Sequence, residues 1–326
     1  MLFVFSSILL WKRDASGAQL NPALPVVDCR GGGSRRSASL LTKALTTAYI
    51  GRLAPSPTGL LHIGHARTFF IAHQRARSAN GTLYLRDEDL DRQRSRPVFS
   101  AAMREDLLWL GLRWDGELRQ SERLPLYRAA LERLLAAGLA YPCTCSRRDL
   151  AAATQAPHED AAAAPEDDEP IYNNRCRPAT ASPTSSFVPG CNYRFRTPVH
   201  TQVAFTDLHA GPQSFTTSVD FGDFLIWRKT LDGGASGIGL PSYQLACVVD
   251  DALTGVTEVV RGGDLLKSTA RQILLQRALG YPTPAYFHCD LVRDSAGIRL
   301  AKRHDALSLR TLRAKGVTPA EILGMF

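Results

Sequence analysis

The stretch from Gly51 to Arg94 reads GRLAPSPTGLLHIGHARTFFIAHQRARSANGTLYLRDEDLDRQR, and its pattern decides the fold. Tyr49 to Ala54 is a short apolar run of strand character. Pro55, Ser56, Pro57, Thr58 and Gly59 turn the chain: two prolines fix φ and Gly59 permits a backbone excursion. From Ile63 the pattern becomes helical, with Phe69, Phe70 and Ala72 among polar residues, and Asn80-Gly81 supplies a left-handed stop. Leu83 to Leu85 is a second strand. Strand, turn, helix and strand within about forty residues make a βαβ unit.

His62-Ile63-Gly64-His65 falls where the first loop meets the helix N-terminus. Backbone N–H groups there are unpaired and the helix dipole favours anions, so two imidazoles can add hydrogen bonds to phosphate oxygens. Gly64 removes a side chain where a base or ribose could approach the backbone. The plainer reading is that both histidines are caps or surface residues. After the second strand come Arg86, Asp87, Glu88, Asp89 and Asp91. A carboxylate at a strand's C-terminal end faces the ligand crevice of an open α/β sheet and can hold an ammonium group. A solvated acidic turn is the simpler account of Asp89 and Asp91.

Composition sets bounds. The 326 residues, 44% hydrophobic and 21% charged, suffice for one large domain or two small ones. Residues 1–48 hold six basic side chains (Lys12, Arg13, Arg30, Arg35, Arg36, Lys43) against Asp14 and Asp28, so they carry half of the net charge of +8. The remainder is mildly basic, which is compatible with RNA. MLFVFSSILLW at the start lacks the basic flank of a signal peptide; the Arg/Ser/Ala-rich part that follows has a transit-peptide flavour, and Gly31 to Gly33 with Ser34 reads as linker. We expect residues 1–48 to be a disordered extension or a wrongly assigned start. No run reaches the roughly 18 apolar residues of a membrane span. Cys29, Cys143, Cys145, Cys176, Cys191, Cys247 and Cys289 are odd in number and scattered, which suits a reducing, cytoplasmic setting rather than a disulfide framework.

Residues 97–138 read as two amphipathic helices, one carrying Phe99, Met103, Leu107 and Leu110, the other Leu126, Ala130, Leu134 and Leu135, closed by Gly111 and Gly138. Trp109 and Trp114 read as core, and Gln120-Ser121-Glu122-Arg123 as structural. Leu139 to Pro142 is a strand leading into Cys143-Thr144-Cys145, and Tyr172 and Cys176 follow a long insert. Three thiolates with an oxygen or nitrogen donor make a closed tetrahedral zinc site; buried free cysteines are the alternative, and Cys191 could replace Tyr172. Residues 151–170 are Ala-, Asp-, Glu- and Pro-rich and read as a mobile loop. Tyr193 to Phe205 and Phe215 to Trp227 alternate as two strands of a β-rich insertion, and Gly233, Gly234, Gly237 and Gly239 make a loose loop. Ser242 opens a helix ending near Asp250-Asp251, Val256 to Val260 is a buried strand, and Leu265 to Leu279 is a helix. Tyr243 offers a hydroxyl, and Arg261 a planar fork for a carboxylate, unless Arg261 is spent on Asp264 or Asp251. Cys247 and Cys289 read as core.

Four strings carry a resemblance. APSPTGLLHIGHART is similar to the HIGH motif of class I aminoacyl-tRNA synthetases of the glutamyl branch, and LRDEDLDRQR to the segment that follows it. YQLACVVDDALTGVTEVVRGGD, from Tyr243, resembles a third segment, and Arg299-Leu300-Ala301-Lys302-Arg303 the KMSKS loop in its glutamyl form. The likeness runs from about Tyr49 to the C-terminus. It implies a Rossmann-like α/β catalytic domain in halves 49–142 and 223–326, split by a connective insertion at 143–222. It implies His62, Gly64, His65 and Lys302 on ATP with Mg²⁺ alongside. Arg52, Leu53, Ala54, Pro55, Ser56, Glu88, Tyr243 and Arg261 would hold L-glutamate. Asp87 and Ala301 depart from the family's isoleucine and serine.

The Cys143, Cys145, Tyr172, Cys176 pattern resembles the zinc ligands of one shortened subfamily. Only residues 303–326 follow Lys302, fewer than the roughly 100 of an anticodon-reading module. That subfamily puts glutamate on queuosine in the anticodon of tRNA(Asp), and a monomer is expected. Two alternatives stay open: a shortened ordinary glutamyl-tRNA synthetase charging tRNA(Glu), and a non-catalytic RNA-binding paralogue.

Overall fold

In a computed structural model, residues 48–145, 171–183, 187–229, 239–292 and 308–326 are described. The expected extension at 1–48 (but for Ala48), the 151–170 loop, all but Gly239 of the Gly233–Gly239 loop and the Arg299–Arg303 run lie outside them.

The opening stretch folds as its pattern requires. Strand β1 (Ile50–Leu53) leads through the proline turn into helix α1 (Ile63–Ser78), and strand β2 (Thr82–Asp87) returns parallel to β1, pairing Ile50 with Thr82 and Leu53 with Leu85. Helix α1 buries Ile63, Ala66, Phe69, Ala72 and Ala76, a three-to-four-residue stripe turned toward the sheet, while Phe70 stays half-buried. Asn80 takes a positive φ of 49° and the Gly81 N–H bonds back to the Ala76 carbonyl. A Cβ on Gly81 would lie 2.5 Å from the Tyr49 carbonyl oxygen, so only glycine lets the chain pass there. Gly59 has no such need: open space surrounds it and its φ is not positive.

Helices α2 (Pro97–Trp109) and α3 (Leu124–Ala136) stand where periodicity placed them. Leu126 is not on the buried face of α3; it is 40% exposed, and Tyr127, Ala130, Leu131, Leu134 and Leu135 form the core stripe instead. Between the helices lies an unforeseen strand, β3 (Gly116–Arg119), parallel to β2. Its residues are half-buried or exposed, as suits an edge, so it carries no apolar signature. A 3₁₀ turn at Gln120–Arg123 follows; Gln120, Arg123 and Tyr127 all bond Asp250, which confirms a structural role for that segment.

Strand β4 (Ala140–Cys143) begins an antiparallel sheet with β5 (Asn192–Phe195), β8 (Phe224–Arg228) and β9 (Leu240–Pro241). Strands β6 (Gln202–Asp207) and β7 (Gly211–Thr216) form a separate hairpin. Each long strand expected from alternation is therefore two strands that belong to different sheets. Helix α4 (Tyr243–Leu253), capped by the Ser242 hydroxyl, strand β10 (Glu258–Gly262), helix α5 (Leu266–Leu279) and strand β11 (Ala285–Cys289) complete a second parallel pair. Short helices α6 (Leu309–Ala314) and α7 (Pro319–Leu323) end the chain.

Strand β10 lies beside β1: the Thr257 N–H donates to the Ile50 carbonyl, and the Ile50 N–H to the Thr257 hydroxyl. The chain leaves β1 toward β2 on one side and reaches β10 on the other. Such a reversal leaves a crevice at the C-terminal strand ends. No described helix is long and apolar enough to cross a membrane.

Candidate active site

His62 is the N-cap of α1, and its Nδ1 accepts the Gly64 N–H at 3.1 Å. His65 reaches back, its Nδ1 accepting the His62 N–H at 3.2 Å, and the two rings lie 3.8 Å apart. The histidines are thus caps and neighbours at once. Because each Nδ1 accepts, each neutral ring carries its proton on Nε2, a donor suited to an anion. A Cβ on Gly64 would stand 3.0 Å from His62 Cε1, so the glycine makes room for the capping ring. Ser308 bridges His62 and the Leu309 N–H donates to the Leu61 carbonyl, so the chain that follows the basic run returns beside these rings.

The crevice beyond holds a buried ionic network. Arg86, 1% exposed, donates from Nε and Nη2 to Glu88 Oε1 at 3.1 and 2.9 Å, and from Nη1 to Asp251 Oδ1 at 2.5 Å. Arg52 lies 3.6 Å from the same Asp251 oxygen and donates to the Val260 carbonyl at 2.8 Å. Ser56 Oγ stands 3.4 Å from Glu88 Oε2. Pro55 takes the Glu88 N–H on its carbonyl, whereas the Leu53 side chain is wholly buried in the core and Ala54 is half-buried.

Arg261 is also buried, 5% exposed, yet its hydrogen-bond partners are neutral. Nη1 donates to Gln272 at 2.9 Å and Tyr243 at 3.3 Å, Nη2 to Thr269 at 2.7 Å and the Leu265 carbonyl at 3.4 Å, and Nε to His288 at 3.1 Å. Among the described residues no ion pair joins Arg261 to Asp264 or Asp251, and Asp251 serves Arg52 and Arg86. Tyr243 stands within electrostatic reach of Arg261, Glu88 and Arg52, which joins the two halves of the site. Sequence reasoning missed Arg86 and Asp251 as its centre, and His288 altogether. The Arg-x-Glu spacing ahead of an acidic run was the only local hint.

Asp87 points inward, fully buried, with Arg104 at 3.3 Å and Arg119 at 3.5 Å as partners; burial raises its pKa. Asp89 is not merely solvated, since it accepts the Ser121 N–H and hydroxyl, whereas Asp91 pairs with Arg94.

A second cluster stands at the end of β4. The Sγ atoms of Cys143, Cys145 and Cys176 lie within 4.8 Å of one another, and the Tyr172 hydroxyl is 3.6 Å from both Cys143 and Cys145. Four donors at such spacings fit the edges of a tetrahedron with metal–sulfur bonds of about 2.3 Å. Burial opposes ionisation of Cys176, but hydrogen bonds from Tyr172, Thr144 and Cys145 outweigh it and bring the thiol down to about 6. Cys191 is not in the group; it packs on the main core. Cys247 and Cys289 are buried, Cys247 touching Glu88 and Arg86.

Comparison with known proteins agrees with this geometry. Residues 50–326 match the family model for the catalytic domain of class I tRNA synthetases (E and Q). A glutamyl-Q tRNA(Asp) synthetase of Symbiobacterium thermophilum is 47% identical over 84% of this chain and 84% of its own length. One from Rhodobacter capsulatus is 44% identical over 84% of this chain and 98% of its own. A glutamate–tRNA ligase of Aquifex aeolicus is 39% identical, across 82% of this chain but 54% of its own. A crystal structure of a glutamate tRNA ligase from Elizabethkingia meningosepticum, in complex with its amino acid, superposes with a TM-score of 0.63 at 26% identity, over 78% of this chain and 52% of that one.

Proposed function

From the premise that this chain belongs to the class I tRNA synthetases of the glutamyl and glutaminyl family, we propose that it activates L-glutamate with ATP and transfers it to queuosine in the anticodon of tRNA(Asp). The glutamate α-carboxylate attacks the α-phosphorus of ATP and pyrophosphate leaves. A hydroxyl of the queuosine cyclopentenediol then attacks the acyl carbon of the adenylate, and AMP departs.

The observation that carries this reading is Arg261, a buried cation among neutral partners in one crevice with the carboxylate of Glu88. A buried guanidinium without a counter-ion is costly and favours a carboxylate ligand. Arg261 and Tyr243 take a carboxylate of glutamate; Glu88, steadied by Arg86 and Ser56, takes its ammonium; Arg52 and the Leu53–Pro55 backbone close the pocket. His62 and His65, beside Gly64, offer Nε2–H donors to the phosphates. Lys302 stands six positions before Ser308 in the sequence, and Ser308 bridges His62. Its ammonium would stabilise charge on departing pyrophosphate. When bound, Mg²⁺ would add positive charge at the same phosphates. Cys143, Cys145, Tyr172 and Cys176 would hold a structural Zn²⁺. The enzyme acts as a monomer in the reducing cytoplasm, where these thiols persist.

Aminoacylation with labelled glutamate tests the acceptor, using tRNA(Asp) from queuosine-containing and queuosine-deficient cells beside tRNA(Glu). The expected result is label only on queuosine-containing tRNA(Asp). Label on tRNA(Glu) makes this an ordinary glutamyl-tRNA synthetase, and no label without ATP–pyrophosphate exchange makes it a non-catalytic paralogue. Metal analysis should find one zinc per chain, lost in Cys143→Ser; equal zinc in both proteins removes the thiol site.

A further inference from the structure

Arg261 of β10 and His288 of β11 are register partners in the parallel ladder, and behind them lies Asp207 at the end of β6. His288 Nδ1 is 2.6 Å from Asp207 Oδ2, both side chains being 0% exposed. On its other side His288 Nε2 meets Arg261 Nε at 3.1 Å and the Thr269 hydroxyl at 3.1 Å. Asp207 is fixed in turn: its Oδ1 accepts the N–H groups of His209, Ala210 and His288 at 2.9, 2.7 and 3.2 Å. The Leu208 N–H donates to the Tyr286 carbonyl at 2.8 Å, so the turn of the β6–β7 hairpin is docked on β11.

We propose that Asp207 and His288 are positioning residues that aim the Arg261 guanidinium at the glutamate carboxylate, and that the β6–β7 hairpin thereby sets the enzyme's grip on its amino acid. This rests on the reading that Arg261 binds glutamate. The physical reason is tautomer control. A carboxylate at Nδ1 keeps the proton on Nδ1, leaving Nε2 as an acceptor for the Arg261 Nε–H. Burial and the adjacent Arg261 lower the His288 pKa to about 4, so the ring stays neutral and the acceptor persists. Anchoring Nε leaves the Nη edge, which carries Tyr243, pointed in one direction. Neither residue lies in a string of the family resemblance, and Asp207 is 81 positions from His288.

Asp207→Asn tests this with nearly constant shape. Three N–H donors at the Oδ1 position hold the carbonyl of the substituted side chain in place, so its amide faces His288 Nδ1 as a donor. The proton then moves to Nε2 and opposes the Arg261 Nε–H. Steady-state ATP–pyrophosphate exchange should show the KM for glutamate raised about tenfold, the order of one lost buried hydrogen bond, with the KM for ATP unchanged. His288→Leu should do the same, and His288→Gln, which can restore an acceptor to Arg261, should recover most of the loss. Calorimetric titration with glutamate should follow the same order. An unchanged glutamate KM in Asp207→Asn, or equal increases for glutamate and ATP, overturns the proposal. Should Asp207→Asn fail to fold, equal glutamate KM values for the two His288 variants overturn it instead. Arg261→Met separates the two levels: if glutamate binding survives it, the assignment of Arg261 falls; if binding is lost there but intact in Asp207→Asn, only the positioning role falls.

Discussion

Arg86 and Arg261 are both buried arginines near the crevice end of a parallel strand, and the structure treats them oppositely. Arg86 is neutralised by Glu88 and Asp251. Arg261 is surrounded by hydroxyls, an amide, a carbonyl and a neutral imidazole. A buried charge with its counter-ions present is part of the scaffold. One with only neutral dipoles around it is solvated just enough to stay folded and is poised for an anion. The contrast separates two environments that residue type alone does not, since both sites begin as an arginine on an apolar strand.

Breaking the paired side should have the largest effect. Arg86→Met leaves Glu88 and Asp251 buried with one cation fewer, and we expect about 3–5 kcal/mol of lost stability in urea unfolding. A loss under about 1 kcal/mol would show that Arg52 and Ser56 suffice to hold both carboxylates.

Asp106 is the acidic counterpart, a buried carboxyl with little compensation. It is fully buried on α2, neither oxygen has a hydrogen-bond partner among the described residues, and Arg310 Nε lies 3.6 Å away. Burial, against a lowering by Arg310, raises its pKa from 3.8 to about 6. The folded state therefore holds a proton that the unfolded state has released between pH 4 and 6, and stability falls as pH rises through that window. Asp106→Asn should accordingly stabilise the fold by about 1–2 kcal/mol above pH 6. Its gain should vanish below pH 4; a gain that persists in acid would assign the effect to packing rather than charge.

The smallest stability change belongs to the unpaired side. Arg261→Met removes a cation whose partners are neutral and can relax, so its unfolding free energy should stay within about 1 kcal/mol of the parent, while glutamate binding is lost. A collapse in stability comparable to that of Arg86→Met would make Arg261 scaffold.

How far the chain was legible follows from the range of each signal. The βαβ opening, the capping of α1, and the strand and helix that frame Arg261 are local patterns of period and turn chemistry, and they stand where the sequence put them. Strand β3 was invisible because an edge strand needs no apolar alternation, and β11 because AYFHC is too short to show a period. The broken strands β5/β6 and β7/β8 misled because alternation reports half-burial, not which sheet buries a residue.

The site divides in the same way. The resemblance singled out His62, Gly64, His65, Glu88, Tyr243, Arg261 and the four donors of the thiol cluster as candidates, because each lies in a string or spacing that the family shares. Which of those charges are already spent depends on contacts made in space. Arg86 finds Asp251 across 165 positions and Arg261 is held by His288 and, through it, by Asp207. Periodicity encodes whether a side chain is buried; it carries no record of the partner that burial demands, because that partner is chosen by strands meeting in space.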